Sequence, residues 1–151
     1  MKTLTLFAVL ALAACGQAGS HGGYDASRDA AVDIGNALTQ AKAAHKRVLV
    51  EAGGNWCSWC KIMDRYFEDH AELTALRDKN FVTVRVNVES GGPIPPALKI
   101  HPPPAGYPHI YILEETGALV QSQNTGDLES GQSYDLEKFT AFLTAFAPPK
   151  S

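Results

Sequence analysis

The strongest constraint on the fold is a pair of cysteines placed between an apolar strand and a helix. Val48-Leu49-Val50 forms a short apolar run suited to a buried central strand, and Gly53-Gly54-Asn55 interrupts it. Cys57 and Cys60 follow at once, and residues 58–67 carry apolar side chains at helical spacing. A sulfur at the start of a helix faces free N–H groups and the positive end of the helix dipole, which stabilise a thiolate. The segment therefore predicts a strand–turn–helix unit that presents a reactive thiol.

The rest of the chain predicts an α/β domain. Apolar side chains recur at helical spacing in four segments, residues 27–44, 58–67, 71–77 and 136–146. Strand patterns occupy four others, residues 47–52, 81–88, 109–113 and 118–121. The helical connection between the first two strands makes them parallel, whereas the hairpin turn Glu115-Thr116-Gly117 makes the last two antiparallel. The expected fold class is α/β, with a central mixed sheet flanked by helices on both faces.

The N-terminus has the pattern of an export signal. Lys2 precedes an apolar run, residues 4–12, that is too short to remain as a membrane span. The small residues before Cys15 resemble the cleavage site of bacterial lipoproteins, in which the cysteine is lipidated; an ordinary signal peptide with an incidental cysteine is the alternative. The chain then divides into three parts, a lipoprotein signal peptide at 1–14, a lipidated cysteine with a flexible tether at 15–26, and one domain at 27–147.

This N-terminus also implies a location. A lipidated chain would stand on the periplasmic side of a bacterial membrane, attached through its lipid. In the lipoproteins that it resembles, an Asp after the cysteine retains the protein at the inner membrane, and this chain has Gly16 there. The outer membrane is therefore the favoured destination.

Charge and cysteine count exclude several classes of protein. The net charge is −3 at pH 7, so no basic surface predicts nucleic-acid binding. With Cys15 lipidated, the three cysteines leave one pair, Cys57 and Cys60, and a structural bridge over so short a loop removes little unfolded-chain entropy. Redox chemistry explains the pair better, because Cys57 can attack a partner disulfide and Cys60 can resolve the mixed disulfide. This chemistry predicts a redox-active disulfide and no cofactor.

Metal binding is the alternative use of the same sulfurs. The sequence has no second C-x-x-C pair, and its five histidines lack the spacing of zinc ligands. The two sulfurs together with His101 or His109 still leave a copper or zinc site open. A copper-handling lipoprotein is therefore the alternative function, while the preferred interpretation assigns no metal.

Residues 27–147 resemble the thioredoxin fold. The resemblance lies in the strand before the cysteines and in Trp56-Cys57-Ser58-Trp59-Cys60-Lys61, which is similar to that family's active-site segment. It is nearest to the thioredoxin-like thiol:disulfide interchange proteins of the bacterial periplasm. The resemblance implies a thiol–disulfide oxidoreductase that acts on protein dithiols and disulfides together with a redox partner protein, and we expect a monomer. An interaction protein on this scaffold, with incidental redox activity, is a third hypothesis.

The resemblance implies roles for residues outside the pair. Glu51 stands six residues before Cys57, where the family has a buried acid that moves a proton to or from the second cysteine; a solvent-facing Glu51 is the alternative. Arg85 either stands near that acid, as a Lys does in the family, or points outward from its strand. Pro108 matches the family's cis-proline opposite the cysteines, which leaves the Tyr107 backbone free to pair with a substrate peptide.

Two features depart from simple thioredoxin. Ser58-Trp59 replaces the Gly-Pro pair between the cysteines, and a Trp lacks the charge with which a His there stabilises the thiolate, so we expect a reductant or electron donor. Prolines are concentrated in the loop at 91–106, which either shapes a groove for a partner or only stiffens a connection. Trp56, Trp59 and Tyr107 are the predicted substrate contacts, with packing at the rim as the alternative for Trp59 and Tyr107.

Overall fold

A four-stranded mixed sheet is the centre of the computed structural model, which describes residues 23–92 and 94–149. Its strands are β1 (Arg47–Gly53), β2 (Phe81–Asn87), β3 (His109–Leu113) and β4 (Leu119–Asn124). They lie in the order β2-β1-β3-β4, with β1 parallel to β2 and antiparallel to β3, and with β3 antiparallel to β4. The predicted mixed sheet is confirmed.

Helices cover both faces of this sheet. Within the described ranges they are α1 (Ala30–Ala44), α2 (Ser58–Asp69), α3 (Ala71–Asn80) and α4 (Leu136–Ala145). The core on the α1 face includes Ala37, Ala41, Val48, Val50 and Tyr111. The core under the other three helices includes Leu49, Met63, Leu73, Ile112 and Phe139. The sheet is therefore buried on both sides, as the α/β class requires.

Alternation along β1 decides what its side chains reach. Val48 and Val50 belong to the core on the α1 face, and Leu49 belongs to the core on the α2 face. Because successive strand residues point to opposite faces, Glu51 shares the side of Leu49. β1 pairs with strands on both of its edges, so Glu51 is only 3 % exposed. The strand thus carries a carboxylate into the interior on the face that α2 covers.

The structure differs from the sequence prediction at the start of α1, at the end of β4, which runs to Asn124 rather than to residue 121, and in one hairpin. α1 begins at Ala30 rather than at residue 27, because the Asp29 side chain caps it and accepts a hydrogen bond from the Ala31 N–H at 2.8 Å. A short antiparallel hairpin, β5 (Glu129–Ser130) with β6 (Ser133–Tyr134), precedes α4. Its strands have two residues each, which is too short for an alternating pattern to appear in the sequence.

The largest correction concerns Tyr24, which the sequence analysis places in the flexible tether. Its side chain is only 4 % exposed and packs against Cys57 and Cys60. Its backbone N–H donates to the Asn55 side chain at 3.0 Å, and the Asn55 amide donates back to the Tyr24 carbonyl at 2.7 Å. These contacts fix Tyr24 within the folded domain, so the tether prediction is wrong at this position.

The other N-terminal predictions fall on residues that the structure does not describe. These are the signal peptide at 1–14, the lipidated Cys15 and the tether up to residue 22. In the part of the chain that is described, no helix combines the length and apolar character needed to cross a membrane. Lipid attachment therefore stays a prediction from the sequence.

Candidate active site

The two cysteines of the C-x-x-C segment are joined as a disulfide at the start of α2. Cys57 is the N-cap residue of this helix, and its Sγ accepts a hydrogen bond from the Cys60 N–H at 3.1 Å. The two Cα atoms lie 5.3 Å apart, and both side chains are buried. In the reduced protein the same N–H and the helix dipole favour a thiolate at Cys57 over one at Cys60, which lies inside the first turn.

Access from solvent differs between the two ends of the cysteine segment. Cys57 stands between the exposed Trp56 and Ser58, whereas Cys60 stands between the half-buried Trp59 and the exposed Lys61. The Trp56 ring is 46 % exposed, and its Nε1 donates to the Val88 carbonyl at 2.7 Å, which ties it to the end of β2. Cys57 is therefore slightly more exposed than Cys60, at 4 % against 1 %, and Trp56 provides a fixed aromatic surface beside it.

Trp59 takes the packed position that the sequence left as an alternative. It is half-buried, and its ring meets Tyr134 edge-on at a centroid distance of 5.5 Å. Tyr107 is half-buried as well, and it packs against the cysteine pair while its ring meets Trp56 edge-on at 5.7 Å. Trp56 and Tyr107 thus form one aromatic edge at the cysteines, and Trp59 belongs to the packing beneath it.

The peptide bond between Tyr107 and Pro108 is cis. Pro108 is buried immediately before β3, and its carbonyl accepts a hydrogen bond from the Thr125 hydroxyl at 2.6 Å. The ladder between β1 and β3 begins at His109, so Tyr107 lies outside it. Thr125 has no sequence signal that marks it in advance, because its role depends on the position of β4 beside β3.

Glu51 lies at the bottom of the site and is buried rather than turned to solvent. Its Oε1 accepts a hydrogen bond from the Tyr24 hydroxyl at 2.5 Å, and its Oε2 lies 3.7 Å from Arg85 Nε. Burial, the largest cause, raises the pKa of Glu51 above its ordinary value, and the positive charge of Arg85 opposes that shift. The Glu51 carboxyl therefore holds its proton more readily than that of an exposed glutamate.

Arg85 joins the acid on β1 to the cysteine helix. In the parallel register of β1 and β2, Arg85 stands directly opposite Glu51. Its guanidinium also donates to the Asp64 carboxylate of α2, and it lies 5.8 Å from the centre of the Tyr24 ring. Of the two alternatives for Arg85, the structure shows the one beside the acid. Tyr24 and Glu51 are buried, and Arg85 and Asp64 are partly exposed. We name these four residues the buried polar network after its buried end.

The histidines considered as metal ligands do not gather around the cysteines in the described residues. No group of three or more His, Cys, Asp or Glu side chains there is arranged to hold a metal. His109 is buried with its Nε2 2.9 Å from Ser122 Oγ, and burial lowers its pKa, which keeps the ring neutral. His101 packs its ring at 5.2 Å from Tyr111. Both imidazole rings pack against Tyr111, on the α1 face of the sheet.

Sequence reasoning also missed Tyr24 and gave no role to Gly53. Tyr24 is the aromatic side chain in a glycine-rich stretch, and that contrast was the available signal. Gly53 lies where a Cβ would stand 2.6 Å from both Cys60 Sγ and Tyr24 Oη, closer than any normal contact. A glycine that ends a buried strand indicates such a close approach, although the sequence does not say what approaches.

The comparisons with known proteins agree with this geometry. A family model described as thioredoxin-like matches residues 29–114, more than half of the chain. No curated protein sequence matches significantly. Among solved structures, the chain is similar to a disulphide isomerase from Xylella fastidiosa Temecula1, with 24 % identity and a TM-score of 0.71 over 81 % of this chain and 94 % of that one.

A second solved structure has the same fold. It is the C-terminal domain of DsbD from Neisseria meningitidis in the oxidised form, with 21 % identity and a TM-score of 0.57 over 78 % of this chain and 96 % of that one. At these identities the two structures support the fold, and the family match adds membership. The chain therefore belongs to the thioredoxin-like family, as a thiol–disulfide oxidoreductase with a disulfide between Cys57 and Cys60.

Proposed function

We propose that this oxidoreductase reduces disulfides of other proteins in the bacterial cell envelope, to which a lipid on Cys15 attaches it. The observation that carries the proposal is the placement of the pair. Cys57 caps α2 between exposed neighbours, and Cys60 lies one turn deeper above the buried polar network. That arrangement separates an attacking sulfur from a resolving one, which is what reduction of a partner disulfide requires.

The exchange proceeds in two displacements. The Cys57 thiolate attacks one sulfur of the partner disulfide, and the other partner sulfur leaves as a thiolate that takes up a proton. Cys60 then loses its proton and attacks Cys57 Sγ, and the second partner sulfur leaves as a thiol. The partner gains two electrons and two protons, and this chain ends as the Cys57–Cys60 disulfide that the structure contains. A redox partner protein restores the dithiol.

The surface around Cys57 fits an extended segment of a partner protein. Trp56 and Tyr107 offer an aromatic edge beside the sulfur, and Tyr107 lies just outside the strand ladder. A partner segment that runs along this edge pairs with the Tyr107 backbone, in the manner of an added strand. Such recognition uses the main chain and so tolerates many partner sequences. The proline-containing loop at 94–106 directly precedes Tyr107 in the chain.

We expect the direction of electron flow to be that of a reductant. Trp59 has no charge to stabilise the Cys57 thiolate, and its ring packs on Tyr134. The reduced form then lacks the stabilisation that makes a strong oxidant. Equilibration with glutathione buffers should give a potential in the range of isomerases and thioredoxin, about −180 to −270 mV. A potential near about −120 mV, the value of a strong oxidant, would contradict the assignment.

The Cys60→Ser variant tests the proposed function directly. Without the resolving sulfur, Cys57 should remain attached to its partners, so the variant should accumulate reductant-sensitive adducts on non-reducing gels of cell envelopes. Wild type should show few such adducts, because Cys60 releases them. Separation of inner and outer membranes on the same samples shows where the adducts lie, and Cys15→Ser should move the protein out of the membrane fraction.

Controls make the trapping result specific. Cys57→Ser and the double variant Cys57→Ser/Cys60→Ser should both trap nothing, because neither retains the attacking sulfur. The proposal fails if Cys60→Ser also traps nothing while the wild-type dithiol binds copper or zinc stoichiometrically. That outcome would assign the sulfurs to metal handling instead.

A further inference from the structure

Tyr24 places a hydroxyl between the acid and the resolving sulfur. It comes from the segment before α1, 27 residues away from Glu51, yet its hydroxyl donates to Glu51 Oε1 at 2.5 Å. Its ring belongs to the same buried cluster as Cys57 and Cys60. The Tyr24 side chain therefore contacts the cysteine pair through its ring and the Glu51 carboxylate through its hydroxyl.

The absence of a side chain on Gly53 brings the two groups together. A Cβ on Gly53 would stand 2.6 Å from Cys60 Sγ and 2.6 Å from Tyr24 Oη. The two atoms therefore lie within twice that distance of each other, on the same side of β1. Because the Tyr24 hydroxyl donates its hydrogen bond to Glu51, the lone pairs of its oxygen can accept a proton from the Cys60 thiol.

We propose that the Tyr24 hydroxyl relays the proton of Cys60 to Glu51 in the resolving step of disulfide exchange. The inference rests on the proposed function, because only a resolving Cys60 has a proton to lose. In the mixed disulfide, the Cys60 S–H proton passes to Tyr24 Oη while the Tyr24 O–H proton passes to Glu51 Oε1. Glu51 becomes a neutral acid, and the Cys60 thiolate displaces the partner sulfur from Cys57. Glu51 later returns the proton to solvent.

The electrostatics of the buried polar network suit this relay. Burial raises the pKa of Glu51, so the carboxylate is a stronger base than an exposed glutamate. Burial and the neighbouring Glu51 raise the pKa of Tyr24 far above its ordinary value, so the phenol passes a proton on and does not ionise. The charged groups that face Glu51 come from three elements, Arg85 on β2, Asp64 on α2 and Arg77 on α3. The two arginines oppose the effect of burial and so favour the ionised carboxylate, which is the form that accepts a proton.

The Tyr24→Phe variant removes the hydroxyl and keeps the ring. The test uses the full chain with Cys15→Ser, so that only the redox pair carries thiols. The reduced protein is mixed with equimolar dithiobis(nitrobenzoate), and the coloured thiol is followed by stopped flow. The first phase reports attack by Cys57, and the second reports resolution by Cys60. We expect an unchanged first phase and a second phase slowed about 10²-fold, the lower end of what a positioned acid–base group contributes.

The pH profile separates a relay from a packing role. In wild type the rate of the second phase should rise with pH as Glu51 loses its proton, and it should then level off. In Tyr24→Phe its rate should keep rising until the Cys60 thiol ionises without the relay. The ratio of the two rate constants does not depend on the fraction of protein that is folded. A loss of stability alone therefore does not slow the second phase relative to the first.

Two further variants decide the outcome. Tyr111→Phe removes another buried hydroxyl, the one that donates to the Pro102 carbonyl at 2.9 Å, and should leave both phases unchanged. Glu51→Gln should slow the second phase as much as Tyr24→Phe, and the double variant should be no slower than either. The relay is refuted if Glu51→Gln slows the second phase and Tyr24→Phe does not. A wild type without a first phase would instead refute the proposed function.

Discussion

The Gly53→Ala variant is expected to lose stability and disulfide exchange together. The new methyl group would stand 2.6 Å from Cys60 Sγ and from Tyr24 Oη, and 2.7 Å from Tyr24 Cζ. Neither neighbour can move freely, since the disulfide holds the sulfur and the surrounding core holds the ring. Overpacking of this kind costs about 1–3 kcal/mol of unfolding free energy. Displacement of Tyr24 also breaks its hydrogen bond to Glu51, so resolution by Cys60 should slow at least as much as in Tyr24→Phe.

Urea unfolding of the oxidised protein measures the loss of stability, and the two-phase thiol assay on the reduced protein measures the loss of exchange. Gly35→Ala is the matched control, because Gly35 lies inside α1 with no atom within 4 Å of an added Cβ. That substitution should stabilise the protein by about 0.5–1 kcal/mol, since alanine loses less conformational freedom in a helix. Equal and favourable effects of the two alanines would show that the space beside Gly53 is not occupied as described.

The Phe139→Ala variant should have the largest effect on stability. Phe139 is fully buried at the centre of the core beneath α2, α3 and α4. Its ring meets Phe67 edge-on at 5.1 Å and Tyr134 edge-on at 5.3 Å, so truncation removes contacts to two elements at once. Loss of a buried phenylalanine costs about 3–5 kcal/mol, a large part of the stability of a domain of this size.

Thr140→Ala gives the background for this measurement. Thr140 is the next residue of α4 and is exposed, so its replacement should change the unfolding free energy by less than about 0.5 kcal/mol. Both variants are compared by urea unfolding. The slope of unfolding free energy against urea concentration is compared as well, because a changed slope indicates a changed denatured state. A loss below about 1 kcal/mol for Phe139→Ala would mean that the core repacks around the gap, and the central role of this ring would be wrong.

The elements of the fold were predictable where their signals are local. The cysteine pair, the strand before it and the helix after it lie within about twenty residues. Each has a local sequence signal, either the spacing of its apolar residues or a glycine-containing break. Alternation along residues 81–88 marked β2, and the structure shows a strand at Phe81–Asn87. The two-residue strands β5 and β6 left no such pattern. Family membership and the disulfide-forming pair followed from these local signals.

The arrangement behind the cysteines depends on contacts between distant segments. Glu51 meets Arg85 because β1 and β2 pair in one particular register, and a shift of one residue would have turned either side chain to the other face. Trp59 is packed and Trp56 exposed because the hairpin that carries Tyr134 covers only one of them. Neither outcome leaves a mark in the residues themselves.

The sequence alone determined that two sulfurs stand at the start of a helix, because the strand, the turn and the helix that place them are consecutive in the chain. Only the tertiary structure decided that Tyr24 faces them. Its burial depends on a space that exists because Gly53 lacks a side chain, and on a carboxylate 27 residues along the chain that accepts its hydrogen. Such a fit arises from the packing of separate elements, which no local period or propensity encodes.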